Sequence, residues 1–154
     1  MLITQTLLSE VSREAAASPR RRKNRNFHRD DNAAAHRLLN ALEPDSYVRP
    51  HRHLDAAKDE TIIALRGSFG VILFDDDGAV ESNCVIAAGG DVIGIEIVHG
   101  HFHTVLALEP GAVFFEAKAG PFVPIAAAET AAWAPVEGTA QAAAQLARYH
   151  ALFK

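Results

Sequence analysis

Between Ser46 and Pro124 the chain alternates short apolar, β-branched and aromatic runs with Gly, Asp and Pro punctuation, and this texture constrains the fold most strongly. Runs near 46–54, 60–66, 69–75, 80–87, 91–98, 102–109 and 112–118 have the length and composition of strands. Between them lie Arg66-Gly67-Ser68, Asp75-Asp76-Asp77-Gly78, Ala88-Gly89-Gly90-Asp91 and Glu109-Pro110-Gly111, turns whose residues supply positive φ or a fixed φ. Regularly spaced strands with such turns imply a β-sandwich or barrel.

Helical patterns flank this core. Leu7, Leu8, Val11 and Ala15 recur at helical spacing over 5–17, with Pro19 close behind. A second N-terminal helix is expected in AAAHRLLNALE, where Asp31-Asn32 offers capping oxygens and Ala35, Leu38, Leu39 and Leu42 share a face before Glu43-Pro44. A C-terminal helix is expected after Gly138-Thr139, in the alanine-rich stretch carrying Leu146, Tyr149, Leu152 and Phe153. The length of 154 residues, 49% of them hydrophobic, suits a single domain. Within it, residues 1–45 read as a helical extension with a basic loop, 46–124 as the β core and 125–154 as a helical tail.

The lone Cys84 cannot form an internal bridge, which suits a reducing compartment, and no apolar run reaches the roughly 18 residues of a membrane span. The polar residues that interrupt MLITQTLLSEVSREAAAS do not read as a secretory signal, so a cytoplasmic protein without membrane contact is expected. Net charge is −4, against a surface built to neutralise nucleic-acid phosphates. The charge is uneven, however. Residues 1–66 hold 12 Lys/Arg against 9 Asp/Glu, residues 67–154 hold 3 against 10, and six cations fall between Arg20 and Arg29. Such a run reads as a solvated loop or as an anion-binding arm.

Five of the eight histidines sit in two clusters, His51 and His53 in RPHRH and His99, His101 and His103 in VHGHFHTV. Two imidazoles two residues apart on a strand share a face and can reach one cation. Glu60 follows at the start of the next apolar run, with Asp55 and Asp59 as rival carboxylates. In the second cluster His103 ranks first, because it begins the strand HTVLALE, with His101 as the alternative and His99 third. Imidazoles beside a carboxylate suit one divalent transition metal ion, Fe, Mn, Ni or Zn, and leave coordination positions open. His28, His36 and His150 read as hydrogen-bonded structural residues.

This pattern resembles the cupin superfamily, whose first motif is G-x5-H-x-H-x3,4-E-x6-G and whose second is G-x5-P-x-G-x2-H-x3-N. His51, His53, Glu60 and Gly67 carry the first, with six residues rather than three or four between His53 and Glu60. Gly100 and His103 carry the second, with Val98 and Ala107 at its proline and asparagine positions. SPRRRKN, SYVRPHRH, LRG, HTVLALEPGAVFFEAKAGPF and a late WAP extend the resemblance over nearly the whole chain, to the WbuC family of cupin-fold metalloproteins. It implies a mainly β, double-stranded β-helix (jelly-roll barrel) with N-terminal helices and a C-terminal helix. It also implies a metal held by His51, His53, Glu60 and His103, and a link to polysaccharide and O-antigen metabolism.

In that frame Tyr47 and Arg49 would share the interior face with His51 and His53. Arg49 would grip an anion beside the metal or pair with Glu96 or Glu116, and Tyr47 is the weaker proton-donor candidate. Arg20 and Arg22 would draw an anionic or sugar-derived small molecule from the barrel mouth. Two function classes follow. One is a metal-dependent enzyme acting on a carbohydrate-derived or nucleotide-sugar molecule, by isomerase, epimerase or oxygenase chemistry. The other is a non-catalytic sensor that binds a sugar or small acid. A homodimer is expected by analogy with other barrels of this kind.

Overall fold

Thr4 starts the first helix: its hydroxyl accepts from the Leu7 N–H at 3.2 Å, capping α1 (Gln5–Ala17). The computed structural model describes residues 2–154. Eight strands follow in the described residues: β1 (Arg22–Asn26), β2 (Ala35–Leu42), β3 (Glu60–Arg66), β4 (Ser68–Phe74), β5 (Val80–Ala87), β6 (Gly94–Ile97), β7 (Phe102–Ala107) and β8 (Ala112–Ala119). The helix α2 (Ala140–Ala151) comes last, capped by Thr139.

The strands form two antiparallel sheets, one ordered β1-β2-β8-β3-β6 and the other β5-β4-β7. Leu42, Ile62 and Phe114 from the larger sheet meet Phe69, Val71 and Ile86 from the smaller in one apolar core. Phe69 and Phe114 touch edge to face with centroids 5.1 Å apart. Each fully buried side chain of this size contributes about 1.5–3 kcal/mol, so the layer between the sheets dominates the fold's stability. The architecture is mainly β, as the punctuated runs imply, and its two antiparallel sheets form the jelly roll that the resemblance implies. On the outside, α1 buries Leu8, Val11 and Ala15 against Leu39, Ala41 and Val113, while α2 packs Ala142, Leu146 and Tyr149 against Tyr47 and Phe74. Among the described residues no helix is long and apolar enough to cross a membrane.

Three local expectations are corrected. The segment expected as a second N-terminal helix is the strand β2, and part of the basic loop is the edge strand β1 paired to it. The reason is burial on both sides: Leu42 joins the core between the sheets, while Leu39 and Ala41 lie under α1. A strand covered on both faces carries apolar residues at neighbouring positions and so imitates a buried helix. The 46–54 run is not a strand of either sheet; only His51 bridges, to His103 and to Thr130. Pro50 lacks the N–H that a continuous ladder needs there.

Candidate metal centre

The His51 bridge builds the site. His51 N–H donates to the His103 carbonyl at 3.1 Å and His103 N–H returns a bond of 2.9 Å, which sets the two imidazoles side by side with centroids 4.6 Å apart. The 54–59 loop spends its extra residues on a turn, in which Lys58 N–H donates to the Asp55 carbonyl and Ala57 N–H to the Asp55 carboxylate. Glu60, the first residue of β3, therefore still arrives beside the histidines. One donor atom from each of His51, His53, Glu60 and His103 lies within 4.8 Å of the other three. His53, Glu60 and His103 are buried, and His51 is partly buried.

The ring orientations suit a cation. His51 Nδ1 lies 3.1 Å from the Arg49 carbonyl and His103 Nδ1 lies 3.0 Å from the His101 carbonyl, so both Nδ1 atoms donate. Each Nε2 is left with its lone pair. His103 Nε2 then faces Glu60 Oε2 at 3.0 Å, and His53 Nε2 faces Glu60 Oε1 at 3.1 Å. For His103, two acceptors at that separation repel unless a proton or a metal ion lies between them. Burial and the neighbouring His103 push the His51 imidazole down to about 3, which keeps it neutral and able to ligate. Burial raises the Glu60 carboxyl, but the facing imidazoles of His103 and His53 and the charge of Lys118 outweigh it and hold the group well below the usual range. Three imidazoles and a carboxylate suit a transition metal ion.

A cavity of about 140 Å³ adjoins the cluster, lined by Arg22, Asn40, Glu116 and Lys118 as well as His51, Glu60 and His103. Lys118 Nζ lies 2.5 Å from Glu60 Oε1 and 2.8 Å from Glu116 Oε1, and Asn40 Nδ2 donates to Glu116 Oε2 at 2.8 Å. Burial pushes Glu116 up, against the pull of Lys118. Burial lowers Lys118 less than its two carboxylates raise it, so it is a lasting cation. Lys118 and Asn40 are additions to the residues expected from the sequence, where Glu116 stands only as a partner for Arg49. One signal was available: in AVFFEAKA, Glu116 and Lys118 have the same parity as the core residue Phe114.

The remaining candidates fall outside the cluster. Arg49 does not reach Glu96 or Glu116; its guanidinium donates to the Ala131 carbonyl at 2.9 Å. Tyr47 is a core residue whose hydroxyl donates to the Pro135 carbonyl at 3.2 Å. The expected parity fails at Pro50, so Val48 rather than Arg49 lines the cavity with His51. Arg22 does line it, but Arg20 and Arg22 both bind Glu137, with closest contacts of 2.8 Å each, and neither is a free cation. That pairing, led by the Arg20 bonds, holds the Glu137 carboxyl at about 2. His101 is half exposed, 3.9 Å from Glu81, while His99 and Asp59 bind each other at 2.8 Å. A surface hollow of about 740 Å³ lies between Arg20, Glu137 and α2, away from the histidine cluster.

Residues 3–86 match the family model described as Domain of unknown function (DUF6016). No curated protein matches the chain. Among solved structures, KdgF from Halomonas sp. is similar with a TM-score of 0.52 at 16% identity, over 68% of this chain and 83% of that one. Oxalate decarboxylase from Bacillus subtilis gives a TM-score of 0.48 at 23% identity, over 59% of this chain and 22% of that one. The likeness to the first identifies the jelly roll as a cupin fold.

Proposed function

The chain belongs to the family described as Domain of unknown function (DUF6016), and from that premise we propose, on the chemistry of its site, a metal-dependent cupin enzyme. Its substrate is a small carbohydrate-derived molecule, free or nucleotide-linked. The observation that carries the metal reading is the pair of Nδ1–H groups turned to backbone carbonyls, which leaves Nε2 of His51 and His103 free on the Glu60 side. His51, His53, Glu60 and His103 would hold one ion of Fe, Mn, Ni or Zn, which when bound supplies a Lewis-acid centre. The chain's own groups do the rest. Lys118 offers a fixed cation to a developing negative charge, and Glu116, held by Asn40, accepts or returns a proton at Oε1. The core walls Val105 and Phe114 keep bulk water out. The resemblance to the WbuC family supports the carbohydrate class.

Elemental analysis of tag-free protein, purified anaerobically without chelator, tests this beside a His51→Ala/His103→Ala variant. The expected result is about one transition metal per wild-type chain, as in a mononuclear site, and almost none in the folded variant. No metal in wild type, and no uptake on adding Fe(II), Mn(II), Ni(II) or Zn(II), would overturn the reading.

A further inference from the structure

A second cavity of about 260 Å³ opens beside the inner one, and Lys118 lines both. Strand alternation builds its wall. Asn24 and Asn26 stand on the same side of β1 as Arg22, and Asn24 is the register partner of Asn40 on β2. A polar row therefore crosses the larger sheet strand by strand, from Glu60 on β3 through Lys118 and Glu116 on β8 and Asn40 on β2 to the two amides on β1. Asn24 Nδ2 donates to Asn26 Oδ1 at 2.9 Å, which leaves Asn24 Oδ1 as an acceptor and Asn26 Nδ2 as a donor for a ligand.

The opposite wall is apolar and anchored. Phe122 lines the cavity with 56% of its surface exposed, yet its N–H donates to the Asp31 carbonyl at 2.7 Å. The same carbonyl accepts from His36 Nε2 at 3.2 Å, and the His36 ring stacks on His28 with centroids 3.9 Å apart. Such a site has paired amides and Leu38 on the sheet side and an aromatic on the other, without a free cation, since Lys118 is held by Glu60 and Glu116. Asp31, which also lines it, brings a negative charge that disfavours anions. At about 30 Å³ per water the volume equals roughly nine waters, room for one sugar ring and not two.

We infer that this cavity is a subsite for one uncharged monosaccharide unit, bound through Asn24 and Asn26 with its C–H face toward Phe122, and that it directs the adjoining part of the ligand past Lys118 to the histidine cluster. The inference deepens the proposed function and rests on it only for the last step, the arrival at the cluster.

Binding of methyl glycosides of glucose, galactose, mannose and N-acetylglucosamine to the full chain, followed by saturation-transfer NMR at about 1–10 mM, tests it, with metal content measured on each sample. At least one glycoside is expected to bind wild type. Asn24→Ala/Asn26→Ala and Phe122→Ala should each weaken it roughly tenfold or more, with the metal content unchanged. Asn24, Asn26 and Phe122 are exposed, and melting curves together with Asn26→Asp as a conservative variant check that the fold is kept. No glycoside binding to metal-loaded protein, binding unmoved by the variants, or binding only of charged probes such as methyl glucuronide would overturn the subsite. Glycoside binding lost in these variants, in protein that takes up no metal, would uphold the subsite and overturn the metal reading instead.

Discussion

Lys118 is the side chain on which the buried charge turns. It lies between Glu60 and Glu116, so its removal leaves two carboxylates facing each other in a small cavity. Breaking a buried pair from one side typically costs about 3–5 kcal/mol, and Lys118→Met should lower urea stability by that order. Adding Glu116→Gln to it should restore part of the loss, since one of the stranded charges is then gone. His51 carries the pH dependence. Burial and His103 hold it at about 3, below the ordinary histidine value of 6.5, so the unfolded chain binds the proton that the folded chain refuses. Stability of metal-free protein is then full above about 6.5 and falls as the pH drops toward 3. His51→Gln should flatten that slope in melting points taken across the range with chelator present. Histidine and glutamate in the first cluster were legible from the sequence because their types and spacing are uncommon. Asn40, Glu116 and Lys118 were not, because only the register of β2 and β8 brings Asn40 to Glu116 and only that of β3 and β8 brings Glu60 to Lys118.

Among the elements, β2 shows why sequence periodicity misleads. The run AHRLLNAL satisfies helical spacing and strand alternation alike, and only the coverage of both its faces, by the core and by α1, decides. The strands from 60 to 119 were legible because Gly and Asp turns mark their ends. The 46–54 segment was read as a strand from its composition, but its pairing is limited to His51, and the same proline that limits it sends Arg49 away from the cluster. Gly120 belongs to this scale as well. A Cβ there would sit 2.7 Å from the His36 ring, so Gly120→Ala must push the end of β8 and the Phe122 segment away from β2. Overpacking of this kind costs typically 1–3 kcal/mol. The expected result is a lowered melting point, with faster amide exchange concentrated in 119–125 and at His36.

For the molecule as a whole, the two sheets meet over an apolar layer, while the polar row occupies the inner face of the larger sheet alone. The core between the sheets therefore does not include the ligands, and binding an ion would add to its stability. With free Zn(II) at a hundred times its dissociation constant the gain is about 2.7 kcal/mol. For a chain of this size that raises the melting point by roughly 5–10 °C. Scanning fluorimetry with Zn(II) or with chelator measures the difference, and His51→Ala/His103→Ala should show none. A wild-type midpoint indifferent to all four metals would count against the centre.

The contact of Arg22 with Glu137 spans 115 residues, and the His51 bridge to Thr130 spans 79. On a ribosome working from the N-terminus at about 5–20 residues per second, β1 emerges roughly 6–23 s before its acidic partner. Throughout that interval the arginine that later lines the inner cavity is a free cation on an unsealed edge. The chamber beside the histidines is thus among the last parts of the protein to mature, and a stall in translation before residue 137 would leave a nascent barrel with its wall still open.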